Sequence, residues 1–314
     1  MVKSPDLSRR QRVSGTLGGL AAILLWSATI ALARSVSESL GPLTAAAVVC
    51  LVAGAASLGR FACRPQLFRQ VMRLPGRYLL GCGTLFAVYM IALFLAVGLA
   101  EDRSQVLEVG LVNYLWPALT ILLSVAILGK TAGLLLVPGT LLALAGVVLV
   151  MTQRASVSWQ SLSANVASNP AAYALALAAA CSWALYSNLT RRWAGAERVG
   201  AVNAFLPATG ILLLVLSLSV EKHVAWNGRA VVEAACLGVL TWAAYGFWDL
   251  AMRKGDVVLV SACAYATPLL STLLTCLYLR VSPAGNLWIG CCLIVVGSLL
   301  SWVSVADQPT PETG

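Results

Sequence analysis

Apolar residues fall in ten long stretches: 13–33, 43–59, 78–98, 104–128, 131–152, 171–190, 199–220, 230–252, 257–279 and 284–304. Each is close to the ~20 residues an α-helix needs to cross ~30 Å of hydrocarbon. Backbone groups in lipid must be satisfied within the segment, so the stretches predict membrane-spanning helices. The alternating segments of ~10 residues that mark a membrane barrel are absent. Only Glu108, Glu233 and Asp249 carry charge inside the ten stretches. Glu108 and Glu233 stand about a turn inside their spans, within reach of the interface. The links are short except for 60–77, with five arginines, and 153–170, whose serines, asparagines and Asn169-Pro170 predict a helix-breaking loop.

The pattern repeats at an offset of 151 residues. Tyr114 recurs as Tyr265, Pro117 as Pro268, Leu119 as Leu270, Gly139 as Gly290 and Gly146 as Gly297. The chain therefore divides into a first repeat, 1–152, a connecting loop, 153–170, a second repeat, 171–305, and a disordered tail, 306–314. Five spans per repeat is an odd number, so the second copy enters the bilayer from the opposite side. The expected fold is an all-α membrane protein of ten transmembrane helices, arranged as two inverted five-helix repeats, which is a transporter architecture.

Composition agrees with this: 60% of residues are apolar and 11% charged, against roughly 45–50% and 25% in soluble domains. The net charge of +9 changes the picture only through its distribution. Fifteen of the 21 Lys and Arg fall in the N-terminal tail and in the links that share its side. The positive-inside rule then predicts both termini in the cytoplasm. No basic stripe interleaves with exposed aromatics, so nucleic acid is not an expected partner. Arg9, Arg10 and Arg12 precede the first stretch and Ala31-Leu32-Ala33 looks like a cleavage site, but 21 apolar residues exceed the h-region of a signal peptide, ~7–15 residues.

Nine cysteines are spread through the spans without a C-x-x-C pair and read as small packing residues. The one histidine, His223, excludes a His-based metal cluster within the chain. H-E-x-x-H, G-x-S-x-G, a P-loop and G-x-G-x-x-G are all missing. No catalysis, cofactor or metal is expected.

The candidate chemistry is aromatic. Tyr78, Tyr173, Trp193, Trp226, Trp288 and Trp302 stand where rings anchor a span at the membrane surface. Trp26, Tyr89, Tyr114, Trp116, Trp183, Tyr186, Trp242, Tyr245 and Tyr265 lie deeper. A phenol or indole at that depth seeks a hydrogen-bond partner and so faces the interior, as packed core or as cavity wall. Trp183 with Tyr186, and Trp242 with Tyr245 and Trp248, share helix faces. Rings of this kind stack on flat apolar groups and hold ammonium by cation–π contact worth ~0.5–2 kcal/mol. Ser27, Thr29, Asn113, Ser182, Asn188, Asn203 and Thr267 offer hydrogen bonds to amino and carboxyl groups. Pro117 and Pro268, at matched positions of the two repeats, predict kinks at which the bundle gates. Gly139/Gly146 and Gly290/Gly297 predict close packing of spans five and ten. No span carries a clearly central carboxylate, which points to a uniporter.

Tyr114-Leu-Trp-Pro-Ala-Leu-Thr and Tyr265-Ala-Thr-Pro-Leu-Leu-Ser, each followed by a spaced glycine pair, resemble the EamA-type repeats of the drug/metabolite transporter superfamily. Asn113-Tyr-Leu-Trp-Pro117, Trp26-Ser27 and Trp183-Ala-Leu-Tyr186 are most similar to its aromatic amino acid exporters. The resemblance implies export of Phe, Tyr and Trp across a bacterial inner membrane, with some tolerance for other amphiphilic compounds; the candidate substrate-binding residues are Trp26, Tyr89, Asn113, Tyr114, Trp116, Trp183, Tyr186, Tyr245 and Tyr265, and a monomer is expected. Export of other small metabolites or cationic drugs, and a channel, are the alternatives. The family often carries an acidic residue after its fourth helix; here Gly129-Lys130 stands in that place.

Overall fold

The computed structural model describes residues 8–152, 159–194, 199–221, 226–279 and 285–307. His223, residues 153–158 of the connecting segment and the tail beyond Asp307 lie outside them. The described chain is nearly all helix. The first repeat runs α1 (Arg9–Leu40), α2 (Pro42–Cys63), α3 (Pro65–Met72), a π-helical turn (Arg77–Cys82) continuing into α4 (Gly83–Leu99), α5 (Arg103–Asn113), α6 (Trp116–Leu128) and α7 (Leu136–Met151). After α8 (Trp159–Ser168), the second runs α9 (Pro170–Ala194), α10 (Val202–Val220), α11 (Gly228–Lys254), α12 (Val257–Ala264), α13 (Thr267–Leu279) and α14 (Gly285–Val303).

Among the described residues, six helices are long and apolar enough to cross a membrane, and up to eight if two bent pairs each count as one span. Leu136–Met151 and Leu287–Val303 are shorter apolar helices. Each apolar stretch of the sequence thus holds helix, and the chain is a multi-pass membrane protein.

Packing partners are conserved when the two repeats are exchanged. α2 packs on α10 and α7 on α14, each helix against its own counterpart. α1 packs on α11, and the equivalent pair, α9 and α4, also meets. The glycines explain the tightest of these contacts. A Cβ on Gly297 would lie 2.3 Å from the backbone N of Ala143, and one on Gly146 would lie 2.8 Å from the carbonyl O of Gly290. At Gly15 of α1 an added Cβ would lie 2.3 Å from the Gly255 N. Removing side chains there lets backbones touch, which substitutes dispersion for a hydrophobic force that lipid does not supply.

Pro117 and Pro268 refine the kink expectation. Pro117 lies within the Ser104–Leu128 span at a two-residue turn, whereas Pro268 lies at the break of a bent pair. Tyr114-Leu115 and Tyr265-Ala266 form two-residue turns, and each proline follows as the second residue of the next helix. There the missing N–H is one that a helix start leaves unpaired anyway. α12 and α13 meet at 44°. Pro207, by contrast, lies within α10.

Four sequence expectations are corrected. The segment 153–170 is not simply a loop: α8 occupies Trp159–Ser168, and Asn169 Nδ2 donates to the Leu99 carbonyl at 2.7 Å and to Gln105 Oε1 at 3.0 Å. The tail does not begin at 306, because Val305–Asp307 pairs antiparallel with Lys130–Ala132; this small ladder is the exception to an all-α fold. Glu108 does not reach the interface. It is fully buried, taking hydrogen bonds from the Tyr173 hydroxyl and from Asn165 Nδ2 of α8 at 3.1 and 3.2 Å. Tyr78 is likewise buried and does not anchor at a surface.

The two ends of the bundle are tied differently. At the end carrying Gly41, Glu221 accepts from the Leu43 N, the Thr44 N and the Thr44 hydroxyl at 2.8, 2.8 and 2.6 Å, so α10 caps α2. Ser35 donates to Glu233 at 2.6 Å. At the end carrying Lys130, Arg12 pairs with Asp256 at 3.3 Å and the Asp256 N donates to the Thr16 hydroxyl at 2.9 Å.

Candidate functional site

Between these ends a cavity of about 200 Å³ opens toward the Gly41 end. Helices α1, α2, α4 and α11 wall it. Its upper lining is small and apolar, with Ala33, Ala45, Ala46, Val49 and Leu237, plus the hydroxyls of Ser37 and Thr241. Deeper, Met90 and Phe94 of α4 face Thr29 of α1, and Trp26 and Tyr245 close the bottom.

Beneath that floor the rings form one connected cluster centred on Trp183 of α9, which is 1% exposed. Its ring centroid lies 5.9 Å from Trp26, 4.6 Å from Tyr89, 6.3 Å from Trp116 and 5.6 Å from Tyr245. It stacks on Tyr186 at 5.1 Å and on Trp248 at 5.8 Å. The helical spacing of three explains this: Trp183 and Tyr186 share a face of α9, and Tyr245 and Trp248 share a face of α11. Edge-on and offset pairs of this kind contribute ~0.5–1.5 kcal/mol each beyond the area they bury. The polar tips are partly provided for. Trp248 Nε1 donates to the Ser187 hydroxyl at 3.3 Å, Tyr245 to Met90 Sδ at 3.3 Å, and Trp242 Nε1 to Asn203 Oδ1 at 2.9 Å. The Tyr186 hydroxyl, fully buried, has no protein partner among the described residues.

The structure thus brings six of the nine candidate residues together: Trp26, Tyr89, Trp116, Trp183, Tyr186 and Tyr245. Only Trp26 and Tyr245 of these line the cavity itself. The other three are placed elsewhere. Asn113 and Tyr114 sit where α5 ends, and Tyr265 occupies the turn before α13, in a separate core with Ala118, Ile121, Leu136 and Ile294. Tyr265 is 0% exposed. The turn at 265–266 carries Tyr265 into this core, and Tyr114 packs at its edge. Of the polar neighbours, Ser27 donates to the Ile23 carbonyl at 2.8 Å and Asn188 Nδ2 to the Thr120 carbonyl at 3.0 Å, while Asn188 Oδ1, Asn113 Oδ1 and the Thr267 hydroxyl are buried without a protein partner among the described residues.

Phe86, Met90, Phe94 and Trp248 were missing from the candidate set. Phe86, Met90 and Phe94 recur every four residues on α4, one helical face beside Tyr89. That periodicity is the signal that marks them.

Below the rings the Lys130 end is closed by charge. Asp249 pairs with Arg253 at 2.9 Å, both buried. Tyr78 donates to Asp249 Oδ1 and accepts from the Ala201 N, each at 3.2 Å. Arg191 of α9 donates to the carbonyls of Arg253 and Gly255. Gly200 leaves room for the carboxylate, since a Cβ there would lie 1.7 Å from Asp249 Oδ2. A buried pair of this sort adds little net stability but strongly penalises loss of either partner. The arrangement is a cavity open on one side, with an aromatic floor and an ionic seal underneath.

The sequence pattern of the EamA-like transporter family matches residues 13–152 and again residues 170–303. The chain belongs to the EamA-like transporter family. Its two EamA copies correspond to the two packing-equivalent repeats described above. Among curated relatives, the "Aromatic amino acid exporter YddG" of Salmonella typhimurium is 34% identical over 92% of this chain and 97% of its own. The protein of the same name from Escherichia coli is 33% identical over 93% of this chain and 98% of its own. That from Ancylobacter novellus is 34% identical over 92% and 97%. A solved crystal structure is similar throughout, with a TM-score of 0.77 and 33% identity, covering 92% of this chain and 97% of that one.

Proposed function

We propose that this EamA-like protein exports aromatic amino acids and related amphiphilic compounds across the bacterial inner membrane. It does so by alternating access, as a uniporter. The observation that carries the reading is the cavity floored by Trp26 and Tyr245, in a chain whose curated relatives bear the name of aromatic amino acid exporter. An apolar pocket with convergent rings suits an aromatic side chain, and the hydroxyls of Thr29, Ser37 and Thr241 at its walls suit the amino and carboxylate groups.

In this reading the chain crosses the bilayer ten times as two inverted five-helix repeats, with both termini and the Lys130 end in the cytoplasm. The exchange symmetry of packing partners supports the two-fold relation. The cavity then faces outward, and the Asp249–Arg253 pair is the cytoplasmic seal that opens when substrate enters from inside. The turns before Pro117 and Pro268 are the places where each repeat bends. The carboxylates in the spans are engaged: Asp249 by Arg253 and Tyr78, Glu233 by Arg229 and Ser35, Glu108 by Tyr173 and Asn165. This leaves none standing alone on the cavity wall, and supports movement of substrate down its own gradient.

A screen of the twenty amino acids as competitors of tryptophan entry into protein vesicles tests the reading. Phe, Tyr and Trp are expected to compete and charged amino acids to fail. Competition by lysine or by cationic drugs instead of aromatic amino acids would contradict it, and uphill transport driven by a pH gradient alone would contradict uniport.

A further inference from the structure

We propose that a pocket between Arg77 and Arg192 binds the phosphate of an anionic phospholipid in the cytoplasmic leaflet. The proposal needs only the bilayer placement given above and is independent of the transported substrate. The pocket, of about 250 Å³, is lined by Arg77, Leu189, Arg192 and Trp193. It lies apart from the central cavity, at the Lys130 end of α4 and α9.

Its parts are held in place. Arg77 opens the π-helical turn that follows Pro75-Gly76. Arg192 Nη1 donates to the Ile127 carbonyl at 3.2 Å, which orients the guanidinium and leaves further N–H groups for a ligand. The Trp193 indole rests on Gly81, where a Cβ would lie 2.8 Å from the ring. Among the described residues neither Arg77 nor Arg192 pairs with a carboxylate. Two guanidiniums line one pocket, and a guanidinium offers paired N–H donors of the kind that recognise an anionic phosphate.

The surroundings select a lipid. Helix α3 is amphipathic: Val71 is buried, while Phe68 is 48% and Met72 58% exposed beside exposed Arg69 and Arg73. Such a helix lies in the plane of the interface, its apolar side in the acyl region and its arginines among headgroups. No acidic residue occurs between 60 and 77. Leu80, 75% exposed and one turn along from Arg77, faces where an acyl chain would run. A basic pocket between helices at the cytoplasmic leaflet is the recognised setting for anionic headgroups.

Purified full-length protein in detergent, mixed with equal amounts of dioleoyl phosphatidylglycerol and dioleoyl phosphatidylcholine, is predicted to retain the anionic lipid about tenfold more often in native mass spectrometry. Arg77→Gln combined with Arg192→Gln removes that preference. Each single change lowers it about threefold, so the site remains testable if the double variant does not accumulate. Arg9→Gln with Arg10→Gln, an equal charge change on exposed α1 residues, keeps the preference. Equal retention of both lipids by the unaltered chain overturns the proposal, as does an undiminished preference in the Arg77/Arg192 variants or its loss in the Arg9/Arg10 variant. Displacement of the lipid by equimolar inorganic phosphate would assign the pocket to a soluble phosphate and overturn the lipid reading.

Discussion

Trp26 meets Tyr245 edge-on, with ring centroids 5.7 Å apart, and the pair joins α1 of the first repeat to α11 of the second at the bottom of the cavity. A group resting on these two rings touches both repeats at once. Under the proposed alternating access, movement of one repeat against the other changes this floor, which is how binding would bias the bundle between two states.

Trp183 is packed on all sides, so Trp183→Ala leaves a void and is expected to cost ~3–5 kcal/mol. A thermal melt in detergent should show a marked loss of folded protein, and Trp183→Phe should recover much of it. Equal melting of Trp183→Ala and the unaltered chain would mean that the cluster is not a packing centre.

The ionic seal gives a sign-reversing pair of variants. Asp249→Leu removes the carboxylate paired with the buried Arg253 guanidinium and is expected to destabilise by ~3–5 kcal/mol. Adding Arg253→Met removes the buried charge as well and should restore part of the thermal midpoint. If the double variant melts no higher than the single one, the pair is not energetically coupled.

Glycine contacts between α7 and α14 predict a contrast along the sequence. Gly297→Ala forces a methyl against the Ala143 backbone and is expected to cost ~1–3 kcal/mol. Gly59→Ala and Gly246→Ala, where an added Cβ meets nothing within 4 Å, should leave stability equal or slightly higher. Equal melting of all three would contradict the packing of these helices.

Pro117→Ala and Pro268→Ala are expected to leave stability unchanged, because each proline occupies a helix start. They also permit α5 to run on into α6 and α12 into α13, so turnover should fall while the half-saturating substrate concentration holds. Unaltered turnover in both variants would remove these turns from the gating account.

The spans, the repeat and the glycine faces are legible in the sequence because each depends on local periodicity: apolar runs, an offset of 151, small residues a heptad apart. Six rings of the cluster are legible for the same reason, since depth within a span is readable. What fails is partner choice across distance. Tyr78 and Asp249 stand 171 residues apart, and nothing local says that a ring fit for the surface will turn inward to a carboxylate. Asn165 is a helix-breaking residue by composition, yet its contact with Glu108 belongs to a helix: tertiary packing overrides propensity. Tyr114 and Tyr265 have the depth of cavity rings, but the turns in which they sit place Tyr265 in the other core and Tyr114 at its edge.

The most direct measurement is the initial rate of labelled tryptophan entry into protein vesicles as a function of concentration, for the unaltered chain and for Trp26→Ala. The account predicts a saturable curve for the first. For the second it predicts a half-saturating concentration about tenfold higher, the loss of one aromatic contact of ~1–1.5 kcal/mol with substrate, alongside a lower thermal midpoint because Trp26 also packs on Trp183, Tyr245 and Trp248. A straight line for the unaltered chain, or superimposable curves for the two proteins, would contradict it.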